Sequence, residues 1–99
     1  MQMEIKAHGF VLRSSLRADI ERQIGRLVQA RPHPIRSVAV DLFEERQRAL
    51  RVNRRCRLHV EFLDDVCETV VDADREFRVA VSEAFRQLLC RLPQLTRHT

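Results

Sequence analysis

Tryptophan and tyrosine are absent from this chain of 99 residues, which also has only two glycines and three prolines. Two glycines are too few for the backbone loop that cradles phosphates in nucleotide-binding enzymes. Five phenylalanines, without Tyr or Trp, also disfavour the aromatic platforms on which single-stranded nucleic acids stack. The remaining composition, 44% hydrophobic and 32% charged, is that of a folded globular chain. We therefore expect one domain that spans residues 1–99.

Motifs for catalysis and metal binding are missing as well. The sequence contains no Ser-His-Asp spacing, nucleophile elbow or carboxylate pair, so we expect no catalytic residue, no cofactor and no small-molecule substrate. The three cysteines are widely spaced and form no C-x-x-C motif, which excludes a disulfide framework and a zinc ribbon. The nearest ligand pair, Cys56 and His59, would point to opposite faces of a strand. We predict no metal site.

Long apolar runs are also lacking. No segment approaches the roughly 18–20 apolar residues of a membrane span. The N-terminal segment MQMEIKAHGF does not have the charged-then-apolar layout of a signal peptide. We expect a cytoplasmic protein without membrane contact.

Arginine dominates the charge of the chain. All of the 18 basic residues except Lys6 are arginines, and against 14 acidic residues they give a net charge of +4 at pH 7. Six of the arginines lie within residues 46–57. Because a guanidinium group binds phosphate in a bidentate way, this segment is a candidate nucleic-acid surface. Two alternatives remain open: a G- and C-rich genome whose codons favour Arg, and an ordinary solvated hairpin.

The hydrophobic pattern predicts four strands. Alternation of apolar and polar residues favours strands over residues 2–8, 35–43, 52–62 and 67–72. The charged segment 44–51 is predicted to be a hairpin loop.

Two further segments have helical periodicity. The first helix is predicted to begin at an N-cap, Ser14 or Ser15, and to end near Gln29. Asp72 or Asp74 is predicted to cap the second helix and Pro93 to end it. The core-facing residues of the second helix are predicted to be Phe77, Val81, Ala84, Phe85, Leu88 and Leu92.

The order β-α-β-β-β-α predicts an α+β fold, a four-stranded sheet with two helices packed on one face. The first helix implies a parallel crossover, and short turns make the last three strands antiparallel. Each helix has one apolar stripe, so both should cover the same face. On the open face we expect Arg55, Arg57 and His59, with Arg46, Arg48 and Arg51 on the adjoining loop.

Four segments carry a family resemblance. They are the opening strand MQMEIKAHG, the first-helix run LRADIERQIGRL, the third-strand run RRCRLHVEF and the second-helix opening EFRVAVSEAF. In order and spacing, over nearly the whole chain, they resemble the ribosome hibernation promoting factors, also called ribosomal subunit interface proteins.

The resemblance implies a stress-induced protein that occludes the decoding channel of the small ribosomal subunit and so silences translation. The family grips 16S ribosomal RNA with basic side chains on both helices and the neighbouring sheet. In the first helix these positions look like Arg22 and Arg26. Because the chain ends at Thr99, it should resemble the short form, without the family's C-terminal dimerisation domain.

The second helix departs from the family pattern. The family's basic positions in its C-terminal half fall on Gln87, Cys90 and Gln94, and Arg78 replaces the aromatic residue of its opening. Arg86 and Arg91 lie beside the lost positions. The candidate RNA-binding residues are therefore Arg22, Arg26, Arg55, Arg57, Arg78, Arg86 and Arg91.

Two other functions stay open. The first is a protein-interaction or self-association module on the same fold, which binds an acidic protein or a second copy of the chain. The second is a general binder of duplex RNA.

Overall fold

The structure, a computed structural model, describes residues 1–30, 34–46 and 51–96. In chain order its elements are β1 (Gln2–His8), α1 (Ser14–Ala30), β2 (Ile35–Arg46), β3 (Val52–Phe62), β4 (Cys67–Asp74) and α2 (Phe77–Thr96). The predicted β-α-β-β-β-α order and α+β class are confirmed. Arg48, one of the expected hairpin arginines, lies outside the described residues. Neither described helix is long and apolar enough to cross a membrane.

The four strands form one sheet in the order β1-β2-β3-β4. β1 runs parallel to β2, and both remaining pairs are antiparallel. The registers align Ile5, Val40, Leu58 and Val70 in one row across the sheet. Because side chains alternate along a strand, such rows of apolar residues all lie on one face.

Both helices pack on that apolar face. Ile20, Ile24 and Leu27 of α1 are buried in the same core cluster as the strand residues. All the residues predicted for the α2 stripe belong to the core, with Phe77 partly buried at its margin. The opposite face, here called the open face, has no described element over it.

The β2–β3 hairpin is longer than predicted. Glu44, Glu45 and Arg46 continue β2 and pair in register with β3, although the sequence favoured a loop there. Opposite charges across the strands explain this, because Glu45 forms an ion pair with Arg55 at 3.0 Å. Cross-strand pairs of opposite charge stabilise a ladder that apolar periodicity alone does not indicate.

The helix ends differ from expectation in two places. The Arg17 N–H donates to the Arg13 carbonyl at 3.0 Å, so the first helical bond starts one residue before the expected serine caps. α2 continues past Pro93 to Thr96, so the prediction that Pro93 ends it is wrong. Proline lacks an N–H and its ring crowds the carbonyl one turn earlier, but the residues after it can still donate to carbonyls of the preceding turn.

The start of α2 is ordered by Asp74. Its Oδ1 accepts a hydrogen bond from the Glu76 N–H at 3.1 Å, directly before the first helical bond. Asp72, the other predicted cap, instead accepts a bond from the Gln87 side chain at 2.5 Å. Asp72 therefore joins β4 to the middle of α2 rather than capping the helix.

Cys56 lies in the core, whereas Cys67 and Cys90 are exposed. Burial, with smaller contributions from the charges of Asp72 and Asp41, raises the pKa of Cys56 from 9.0 to about 12. The folded protein therefore holds the thiol proton more tightly than the unfolded chain does. Its contribution to the free energy of unfolding is complete below about pH 9 and is lost as the pH rises towards 12. At neutral pH Cys56 behaves as a small apolar side chain.

Candidate nucleic-acid interface

A groove separates the two helices on the side of the molecule away from the open face. The apolar stripes of α1 and α2 turn towards the sheet, so the flanks of the helices face each other above the core. The space between them has a volume of about 330 Å³. It is lined by Leu16, Asp19, Arg22, Gln23, Arg26, Arg78, Val81 and Ser82. We call this the helix groove.

Three of the seven predicted RNA-binding arginines meet in the helix groove. One carboxylate holds two of them, because Asp19 Oδ1 is 2.7 Å from Arg22 Nη2 and Asp19 Oδ2 is 3.5 Å from Arg78 Nε. Arg26 has no ion partner among the described residues. Three guanidinium groups against one carboxylate leave the groove with a net positive charge.

The groove arginines remain available to a ligand. The side chains of Arg22 and Arg78 are 62% and 77% exposed, respectively, whereas Asp19 is only 25% exposed. Each guanidinium group has five N–H donors, and the contacts with Asp19 use few of them. Three guanidinium groups are the main donors in the described groove lining, so its chemistry is that of an anion-binding surface.

Arg86 and Arg91 lie outside the helix groove. Arg86 donates from Nη2 and Nε to Glu83 at 2.7 and 3.0 Å, and this hydrogen bond raises the pKa of Arg86. Arg91 reaches β4 instead, where it donates to Glu68 at 2.5 Å. A helical turn of 3.6 residues places Arg91 on the flank of α2 opposite to Arg78.

The remaining candidates, Arg55 and Arg57, lie on the open face as predicted. Arg55 is 3.0 Å from Glu45 and stacks over the Phe43 ring at 4.8 Å from its centroid. Arg57 is exposed and has no ion partner among the described residues. Among the described strand residues, the register places three basic side chains on this face, Lys6, Arg55 and Arg57, against four acidic ones, Glu4, Asp41, Glu45 and Glu61. The open face therefore lacks the positive excess of the groove.

Arg54 belongs to the arginine-rich segment 46–57, but the structure places it away from Arg55 and Arg57. It is on the helix side of β3, where its guanidinium lies 5.8 Å from the centroid of the Phe77 ring. It also donates to the Arg75 carbonyl and lies 3.6 Å from Glu44. The sequence already indicated this position, because alternate residues of a strand share a face and Cys56 and Leu58 face the core.

Asp19 is the site residue that sequence reasoning missed. The spacing of Asp19 and Arg22 indicates an i,i+3 pair within one helix. The second contact, with Arg78, joins two helices far apart in the chain. No local pattern predicts such a contact.

Comparison with solved structures identifies the same fold elsewhere. A ribosomal subunit interface protein from Coxiella burnetii superposes with a TM-score of 0.82 at 12% identity, over 98% of this chain and 99% of that one. The N-terminal domain of Protein Y from Thermus thermophilus gives a TM-score of 0.77 at 14% identity, over 96% and 99%. No protein-family model and no curated protein matches the sequence. The fold that the resemblance implied is therefore confirmed.

Proposed function

We propose that this chain is a ribosome-associated factor that binds the 16S ribosomal RNA of the small subunit and silences translation by occluding the decoding channel under stress. The observation that carries the proposal is the positively charged helix groove on this fold. A structural neighbour that covers the chain almost end to end is named for the ribosomal subunit interface. In this proposal the protein acts in the cytoplasm and catalyses no reaction.

Recognition in this proposal depends on phosphate position and RNA shape. Asp19 holds Arg22 and Arg78 in place before RNA arrives, which reduces the side-chain entropy lost on binding. Arg26 supplies a third guanidinium, which has no ion partner to give up among the residues that the structure describes. None of the described lining residues is aromatic, so this proposal gives base stacking no part there. A folded body of 48 × 24 × 18 Å, once bound, excludes other RNA from the space it fills.

The first test is sedimentation of the protein with purified 30S subunits across a salt series. Neutralising one phosphate contributes about 0.7–0.9 to the slope of log affinity against log salt, so three arginines should give a slope of about −2 to −3. Purified 50S subunits serve as the control. Equal binding to both subunits would favour the general RNA binder, and no binding to 30S at low salt would contradict the proposal.

Self-association is the second candidate function, and β1 favours it. β1 is an edge strand of the sheet. A second copy, antiparallel and centred on Ile5, would place Glu4 opposite Lys6 on one face of the strand and Met3 opposite Ala7 on the other. Met3 is 45% exposed and would lose this exposure. In this arrangement both the charged and the apolar side chains of β1 would match those of β1 in the second copy.

This alternative predicts a dimer in sedimentation equilibrium of the protein alone. Replacing Lys6, whose side chain is 58% exposed, by glutamate would place like negative charges opposite each other at positions 4 and 6 of the paired strands. The variant should therefore be monomeric. A wild-type chain that is monomeric throughout the micromolar range would exclude the alternative.

A further inference from the structure

We propose that the β3–β4 hairpin holds a divalent transition-metal ion, of which Zn²⁺ is the best fit, between His59, Glu61 and Cys67. The ligand atoms of these three side chains all lie within 4.8 Å of one another. The site is on the open face, across the sheet from the helix groove. Its three donors are a nitrogen, an oxygen and a sulfur, the set from which proteins build zinc sites.

The strand register brings the three residues together. His59 and Glu61 are two positions apart on β3, so both point to the open face. Cys67, the first residue of β4, is directly opposite Glu61. The expectation of no metal site rested on Cys56 and His59, which do lie on opposite faces. The pairing with Cys67 depends on the hairpin register.

A short turn fixes this register. The Phe62 N–H donates to the Val66 carbonyl at 2.9 Å, which closes the hairpin. Asp64 accepts the Val66 N–H at 3.2 Å, and Asp65 adopts a positive φ of 66°. Asp and Asn adopt this conformation at less cost than most residues. The backbone around Cys67 is therefore set before a metal binds.

The His59 ring is oriented for metal binding. Its Nδ1 is 2.7 Å from the Thr69 hydroxyl, which is opposite His59 on β4. When Nδ1 donates its proton to Thr69, Nε2 keeps a free lone pair, as a neutral imidazole ligand requires. Nε2 is 3.7 Å from Glu61 Oε1, so the lone pair is on the side where the other ligands lie. Thr69 thus acts as a positioning residue.

The distances suit a tetrahedral ion. Roughly 2.0–2.3 Å from each ligand to Zn²⁺ implies about 3.3–3.8 Å between neighbouring ligand atoms. The gap between His59 Nε2 and Glu61 Oε1 already has this length, at 3.7 Å. Because all three ligand atoms lie within 4.8 Å of one another, the Cys67 sulfur has to approach the other two by no more than about 1–1.5 Å. The thiolate and carboxylate would balance the charge of the ion. A fourth position stays open to water or to a side chain of a partner.

The test uses Co²⁺, which replaces Zn²⁺ and reports its ligands by absorption. Reduced full-length protein titrated with Co²⁺ should develop a thiolate-to-cobalt charge-transfer band, and added Zn²⁺ should abolish it. The Cys67→Ser variant should lack the band. Cys90→Ser is the matched control, because Cys90 is also exposed and does not belong to the cluster. Thr69→Val should weaken metal binding about 10–100-fold, as loss of an orienting hydrogen bond does.

Several results would overturn the proposal. They are a wild-type protein without the band, a band that survives in Cys67→Ser, or a band lost equally in Cys90→Ser. Circular dichroism of each variant shows that it is folded. Since the assay contains no ribosome and the ligands lie outside the helix groove, its outcome is independent of the proposed function.

Discussion

Replacing Phe85 by alanine is expected to lower the free energy of unfolding by about 3–5 kcal/mol. Phe85 is the largest of the fully buried side chains, at 1% exposure, and packs in the centre of the core between α2 and the sheet. Truncation removes apolar contacts and leaves a cavity that the strands below cannot fill. Urea unfolding followed by circular dichroism measures the loss.

Val79→Ala is the control on the same helix. Val79 is 40% exposed, so its truncation should change the free energy of unfolding by less than about 0.5 kcal/mol. If Phe85→Ala does not fold, Phe85→Leu leaves a smaller cavity and permits the measurement. A loss below about 1 kcal/mol for Phe85→Ala would contradict the burial of the α2 stripe.

Removing the three groove arginines together should weaken binding to 30S subunits on the order of 10²-fold at about 0.1 M salt. The triple variant Arg22→Ala, Arg26→Ala, Arg78→Ala loses the positive charge of the groove and leaves Asp19 to repel phosphate. Its salt slope should fall in magnitude by about 2–3, the share expected of the three arginines. The measurement is co-sedimentation with 30S subunits across the same salt series. Unfolding of the variant is measured in parallel to show that it is folded.

The matched control is the double variant Arg55→Ala, Arg57→Ala on the open face. It removes two arginines from a surface without positive excess, so we expect little change in 30S binding. Arg86→Ala should likewise have little effect, because Arg86 lies outside the helix groove and its charge is balanced by Glu83. If the double variant abolishes binding and the groove variant does not, the RNA-binding surface is the open face.

Periodicity predicted most of the fold because each element has a clear apolar pattern. The alternation of Cys56, Leu58, Val60 and Phe62 gave the bounds of β3 correctly. It failed over 44–46, where charge pairing across strands takes the place of apolar alternation. It also failed at Pro93, because a proline near a helix end removes one bond without ending the helix.

The candidate site was less predictable, since its contacts join distant segments. The resemblance supplied Arg22 and Arg26, and the departure at Arg78 was visible in the sequence. That Arg78 shares Asp19 with Arg22, whereas Arg86 and Arg91 turn elsewhere, depends on how the helices pack. The cluster of His59, Glu61 and Cys67 likewise needed a register that the sequence does not specify.

The parallel pairing of β1 with β2 predicts an order in which the sheet assembles. A parallel neighbour cannot be reached through a tight turn, so β1 must wait until α1 has crossed the sheet. β2, β3 and β4 each pair with the next strand along the chain, which costs less loop-closure entropy. We therefore expect β1 to pair last, although it precedes the other three strands in the chain. Glu4 and Lys6, whose charges discourage pairing with apolar strand edges, protect it in the interval.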